Sequence, residues 1–168
     1  MSFSIYDASI PPMIRMLENL SNILDKAVKQ AGERGLALSE LLEARLAPDM
    51  HPFPRQVQIA SDAAKACAAR LTGGEIPSFA DTESTFPELK DRIAKTVDYL
   101  KSVRRDAFEG AEKRTIEIKT PRGAEFRFDG KEFVTNFALP NFFFHVTTAY
   151  GLLRHKGIEI GKRDYLGL

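Results

Sequence analysis

The chain has 168 residues and few side chains able to do chemistry: three histidines, at positions 51, 145 and 155, and one cysteine, Cys67. His145 stands in the stretch NFFFHVTTAYG, Asn141 to Gly151, directly after three phenylalanines. An imidazole at the edge of an apolar helix face is kept neutral by burial and retains one acceptor nitrogen, the form that binds a metal ion. The same burial suits a core histidine bonded to a polar neighbour, and the spacing leaves both readings open. One helical turn later, where a second ligand would face the same ion, the sequence has Ala149. His155 lies about 80° around and about 15 Å further along a helix, so it cannot share an ion with His145. It reads as an exposed cation at a helix C-terminus. His51, in the proline-rich PDMHPFPRQ, is either a surface residue or a loop donor reaching toward His145.

Other chemistry is poorly represented. A single cysteine excludes an internal disulfide and a cysteine-based zinc cluster. Cys67 shares a face with Val57, Ala60, Ala64 and Leu71 and reads as a small core residue. The sequence contains no glycine-rich phosphate loop, serine elbow or aspartate-rich calcium loop. Glu40 and Glu43, Asp81 and Glu83, and Asp91 are spaced like solvated helix faces and linkers. Phe142, Phe143 and Phe144 point in three directions at 100° intervals, which predicts a helix packed on most sides. Asp62 and Arg70 are candidates for buried polar contacts, although in this register Asp62 points away from the apolar stripe.

The elements that must position these residues are mainly helical. Ser9 followed by Ile10-Pro11-Pro12 marks a start, because prolines are tolerated in a first helical turn. Met13, Leu17, Leu20, Leu24, Ala27 and Ala31 then recur at helical spacing, predicting a first long helix over about residues 10–32 with Gly32 and Gly35 as stops. A helical turn in LSELLEARL follows. A second long helix is predicted over about residues 55–71, with Gly73-Gly74 beyond it. Thr85-Phe-Pro-Glu88 is a capping box opening a third helix that the periodicity carries to about Phe108. From Arg114 the period changes to alternation, and Pro121-Arg122-Gly123 turns the chain into Glu125–Phe128, a β-hairpin. Asp129 and Glu132 cap a further helical piece. Proline disfavours the helical region for Leu139, so a last long helix is expected to start at Pro140 and not to run straight through from that piece. The apolar tail GIEIGKRDYLGL is expected to fold back on the helices.

Four long helices with a hairpin between the third and fourth predict a mainly α, single-domain four-helix bundle over residues 1–168. Hydrophobic residues make up 43% of the chain and charged ones 28%, the balance of a globular protein, while a formal charge of +1 provides no field to steer nucleic acid or acidic membranes. No apolar run reaches the ~20 residues of a membrane span, and MSFSIYDASIPP lacks the pattern of a signal peptide, so a cytoplasmic location is expected.

The whole chain resembles the DinB-like (YfiT-like) superfamily of bacterial four-helix bundles, in a branch known only as a domain of unknown function. The resemblance is carried by PNFFFHVTTAYGLLRHKGIEIGKRDYLG, by LAPDM followed by RQVQIASD, and by the linker and cap of the third long helix. It implies a bundle whose open end, in better understood branches, holds a divalent metal on three histidines. One comes from the second long helix, and two come from the last in the pattern His-x-x-x-His followed by a residue and a glycine. Those branches include thiol-dependent transferases and isomerases in which the metal activates a small thiol. Here His145 and Gly151 keep the pattern and Ala149 breaks it. The remaining family position falls nearest Gln58, whereas a helical wheel places Gln56 or Ser61 closer to the interior. The candidate ligands are therefore His145, His51 and Gln58, for zinc or nickel, and zinc commonly takes three protein ligands even at catalytic sites.

Two functions are expected. The first is a non-catalytic or small-ligand-binding homodimer with a degenerate metal site and no cofactor, the dimer being implied by the resemblance. The second is a divalent-metal-dependent enzyme of thiol-transferase or hydrolase type, with water or a thiolate as nucleophile on the metal. The expected partners are a second copy of the chain and a small molecule, with neither nucleic acid nor membrane.

Overall fold

A computed structural model of the protein describes residues 3–119 and 123–168. The first long helix, α1, spans Ile5–Arg34 and begins more than a turn before Ser9. Ser4 and Asp7 form a reciprocal capping box that satisfies the first free N–H groups, so the start does not depend on Pro11 and Pro12, which lie inside the helix. Met13, Leu17, Leu20, Leu24, Ala27 and Ala31 are all fully buried on one face, as their spacing predicts. Burying each leucine is worth about 2 kcal/mol.

A short helix α2, Leu38–Leu42, leads through the proline-rich segment into α3, Phe53–Thr72. Phe53 anchors the start of α3 against Phe86, with ring centroids 5.6 Å apart. The buried face of α3 is built from Val57, Ala60, Ala64, Cys67, Ala68 and Leu71, small enough for its neighbours to approach closely. Helix α4, Phe86–Ser102, opens with the expected Thr85–Glu88 capping box. It stops short of Phe108: the charged Arg104-Arg105-Asp106 run leaves the helix, and a 3-10 turn over Arg105–Phe108 sets Phe108 edge-on against Tyr6 at 5.2 Å.

A second 3-10 turn, Ala111–Lys113, precedes strands β1, Ile116–Lys119, and β2, Glu125–Phe128, which pair antiparallel with Ile116 opposite Phe128 and Ile118 opposite Phe126. Of the turn expected at Pro121-Arg122-Gly123, the first two residues lie outside the described residues. Ile116 and Ile118 face the core. Helix α5, Gly130–Phe133, carries the Asp129–Glu132 capping box.

The last long helix starts within one residue of Pro140, as expected, but the path into it stays helical. Val134–Ala138 form a π-helical turn that leads directly into α6, Leu139–His155. Leu139 is itself helical and donates to the Val134 carbonyl five residues back. The wider turn accommodates the ring of Pro140, whose nitrogen has no hydrogen to donate. Helices α1, α3, α4 and α6 form the bundle. The tail returns along α1 through Ile158, Ile160 and a last helix α7, Lys162–Leu166, held by Asn19 Nδ2 donating to the Tyr165 carbonyl at 3.0 Å. Among the described residues no helix is long and apolar enough to cross a membrane.

Candidate functional site

His145 is placed by the π-turn. Residues after it enter α6 in a register that buries Phe142, Val146, Ala149 and Leu153 and brings His145 against α3, leaving its side chain 9% exposed. Phe144, expected to be packed, is 54% exposed and lies edge-on to the His145 ring with centroids 5.1 Å apart. Helix α6 therefore keeps one open face: α3 and α1 pack against its buried sides and leave Phe144 to solvent.

The partner of His145 is Gln56, which is 1% exposed. His145 Nδ1 lies 2.7 Å from Gln56 Oε1, and Gln56 Nε2 donates to the His51 main-chain carbonyl at 3.0 Å. The second bond fixes the orientation of the amide, since only its NH2 can donate to a carbonyl. Its oxygen then faces His145, and Nδ1 must carry the proton to make the 2.7 Å contact. The lone pair is on Nε2. Burial, then the positive charges of His51 and Arg55, pull the His145 pKa down from 6.5 to about 4. At neutral pH the ring is uncharged and a very weak base.

The other sequence-derived candidates are distributed differently. His51 has an exposed side chain and joins the relay through its main chain. Gln58, the residue at the family position, is buried but turned toward the other side of α3: Arg55 donates to its carbonyl oxygen at 3.1 Å, and its NH2 donates to Glu83 at 3.0 Å. The two glutamines are two residues apart, about 200° around a helix, so only one can face His145. Ser61 bonds Thr96 across the α3–α4 contact. His155 is exposed at the end of α6. Cys67 is fully buried, and burial pushes its thiol up to about 12, outweighing the opposing charge of Arg70. It is an unreactive core residue.

A second polar cluster lies on the far side of α3. Arg92, 2% exposed, projects from α4 and meets Asp62 at 2.7 Å, Asp81 at 2.9 Å and Glu83 at 3.0 Å, and donates to the Ala80 carbonyl at 3.1 Å. Lys65, equally buried, reaches Asp62 at 2.9 Å and the Pro77 carbonyl at 3.0 Å, with its ammonium 3.7 Å from the Phe79 ring centre. Asp81 stays partly solvated in the linker but Glu83 does not, both are paired, and Asp62 is not turned idly away from the stripe. They tie the 75–85 linker to α3 and α4. Burial opposes the charge on Arg92, but its hydrogen bond with Glu83 and the three carboxylates outweigh this and hold its pKa above the ordinary arginine value. Sequence reading overlooked Arg92 and Lys65. The available signal was that Arg92 falls between Leu89 and Thr96 at spacings of three and four, on a stripe that must be buried.

Comparisons with known proteins agree with this architecture. Residues 5–166 match the family described as a domain of unknown function (DUF1993). A crystal structure described as that of a DinB family member protein from Shewanella denitrificans is similar over 97% of this chain and 92% of that one, at 44% sequence identity and a TM-score of 0.89. No curated protein matches the sequence.

Proposed function

The chain belongs to the DUF1993 family of DinB-like proteins, and on that premise we propose that it is a non-catalytic, small-ligand-binding homodimer whose inherited metal position has become a structural relay. The observation that carries this reading is the chain from His145 Nδ1–H to Gln56 and on to the His51 carbonyl. It joins α6, α3 and the loop before α3 at the bundle end where the resemblance places a metal. The dimer rests on the resemblance.

The donor set does not fit a three-histidine centre. Ala149 offers no donor, Gln58 is engaged by Arg55 and Glu83, and no group of three His, Cys, Asp or Glu side chains among the described residues could hold an ion together. His145 Nε2 keeps a lone pair, the one feature that favours the alternative of a divalent-metal-dependent enzyme. A single imidazole falls short of the three protein ligands zinc commonly needs.

The test is elemental analysis of protein purified without chelator and re-equilibrated with zinc or nickel. We expect well under one equivalent, unchanged in His145→Ala. Near-stoichiometric metal that His145→Ala abolishes would overturn the reading. Sedimentation equilibrium tests the dimer, and a monomer at every accessible concentration removes that part.

A further inference from the structure

Along α3, beyond the His145–Gln56 contact, a groove of about 270 Å³ opens between α3, the hairpin and the π-turn that precedes α6. Its apolar wall includes Ile59, Ala63, Ala66 and Phe137, and Arg70 and Asn141 are part of its polar lining. Arg70 is half-buried and makes no hydrogen bond or ion pair among the described residues. Asp62, on the same wall, is already shared between Lys65 and Arg92. It is also two helical turns from Arg70, about 12 Å along α3, too far to neutralise it. Asn141 likewise has no hydrogen-bond partner among the described residues. The aromatic surface continues outward, because Phe137 lies 6.3 Å from the ring of Phe126, itself 43% exposed.

We infer that this groove binds a small monocarboxylic acid with an apolar or aromatic body. The Arg70 guanidinium takes the carboxylate through two parallel N–H bonds, the Asn141 amide donates a further one, and the body lies along Ile59, Ala63 and Phe137. One uncompensated cation and one neutral amide in the same lining match one negative charge. A phosphate dianion would leave charge unpaired, and a neutral ligand would leave the guanidinium partly desolvated without a partner. The groove is small by the standard of ligand sites, which restricts the acid to a compact one. Burial lowers the Arg70 pKa, as expected of a guanidinium partly withdrawn from water. The inference rests on the ligand-binding part of the proposed function and assigns it a place; it does not involve His145.

The probe is phenylacetate, with the uncharged 2-phenylacetamide as its isosteric twin, titrated into the 15N-labelled full chain and followed by NMR. Saturable shifts at Ile59, Ala63 and Asn141 are expected for phenylacetate. Binding is expected to weaken by about tenfold for phenylacetamide and for phenylacetate with Arg70→Met. Arg70 makes no internal bond, so this variant should melt with the wild type, and circular dichroism checks that it does. Equal affinity for acid and amide, an unchanged Arg70→Met titration, shifts located elsewhere, or no saturable shift up to the solubility limit would each overturn the inference. Metal analysis is unaffected by any of these outcomes, so the two readings fail separately.

Discussion

Lowering the pH should unfold this protein partly through one residue. The His145 imidazole titrates at about 4 in the folded chain against 6.5 when unperturbed, because burial and the charges of His51 and Arg55 resist a second proton. Above pH 6.5 the ring is neutral folded and unfolded, and it contributes no pH dependence. Between 6.5 and 4 the unfolded chain takes up the proton while the folded chain does not, so stability falls as the pH falls. The whole effect is lost once the folded ring protonates. The gap between the two values corresponds to up to about 3 kcal/mol, a large fraction of the 5–15 kcal/mol typical of a domain. Urea unfolding at fixed ionic strength, from above pH 6.5 down to about 4, should be compared with His145→Asn, which keeps an N–H near Gln56 but does not titrate. The Arg92 cluster is the same in both proteins and cancels in the difference. The wild-type curve should converge on or cross that of the variant as the pH drops. Parallel curves would show that His145 titrates alike in the folded and unfolded chain, and a wild type that gains on the variant as the pH drops would show that the folded ring is charged; in either case the relay argument would fail.

Arg92→Ala removes the buried cation shared by Asp62, Asp81 and Glu83, but Asp62 keeps Lys65, Asp81 keeps Arg55 and both are partly exposed, so the cost in urea unfolding should be about 1–3 kcal/mol; a loss below about 0.5 kcal/mol would mean that the linker is not tied down. Gly130→Ala would place a Cβ 1.8 Å from the Ala111 carbonyl oxygen, so a clear drop in Tm, equivalent to about 1–3 kcal/mol, is expected by calorimetry. Cys67 should not react with an aromatic disulfide reagent in native buffer and should react fully in denaturant, since the thiol is buried and raised to about 12; rapid labelling of native protein would contradict its core assignment.

The bundle was legible because its long helices repeat apolar residues at spacings of three and four and begin with side chains that cap them, as at Thr85 and Glu88. The start of α1 was misplaced because the prolines at 11 and 12 look like a first turn, while the true cap, Ser4 with Asp7, precedes them without an apolar run to mark it. Around Pro140 local preference for Leu139 lost to a π-turn, which depends on packing that no short window contains. His145 was found from its neighbours. Its partner was not fixed, because Gln56 and Gln58 lie on opposite sides of α3 and the choice between them is made by helix phase in the folded bundle. The Arg92 clamp was missed because its carboxylates come from a linker whose path is set by the clamp itself.

The central claim is that His145 is a neutral, relay-bound imidazole and not a working metal ligand. Long-range 1H–15N correlation spectra of the histidine rings, recorded across pH and then with added zinc, address it most directly. The account predicts that His145 carries its proton on Nδ1, titrates near pH 4, and keeps its Nε2 resonance unchanged at one equivalent of zinc. A His145 protonated on Nε2, titrating near 6.5, or shifting at Nε2 with stoichiometric zinc would contradict it.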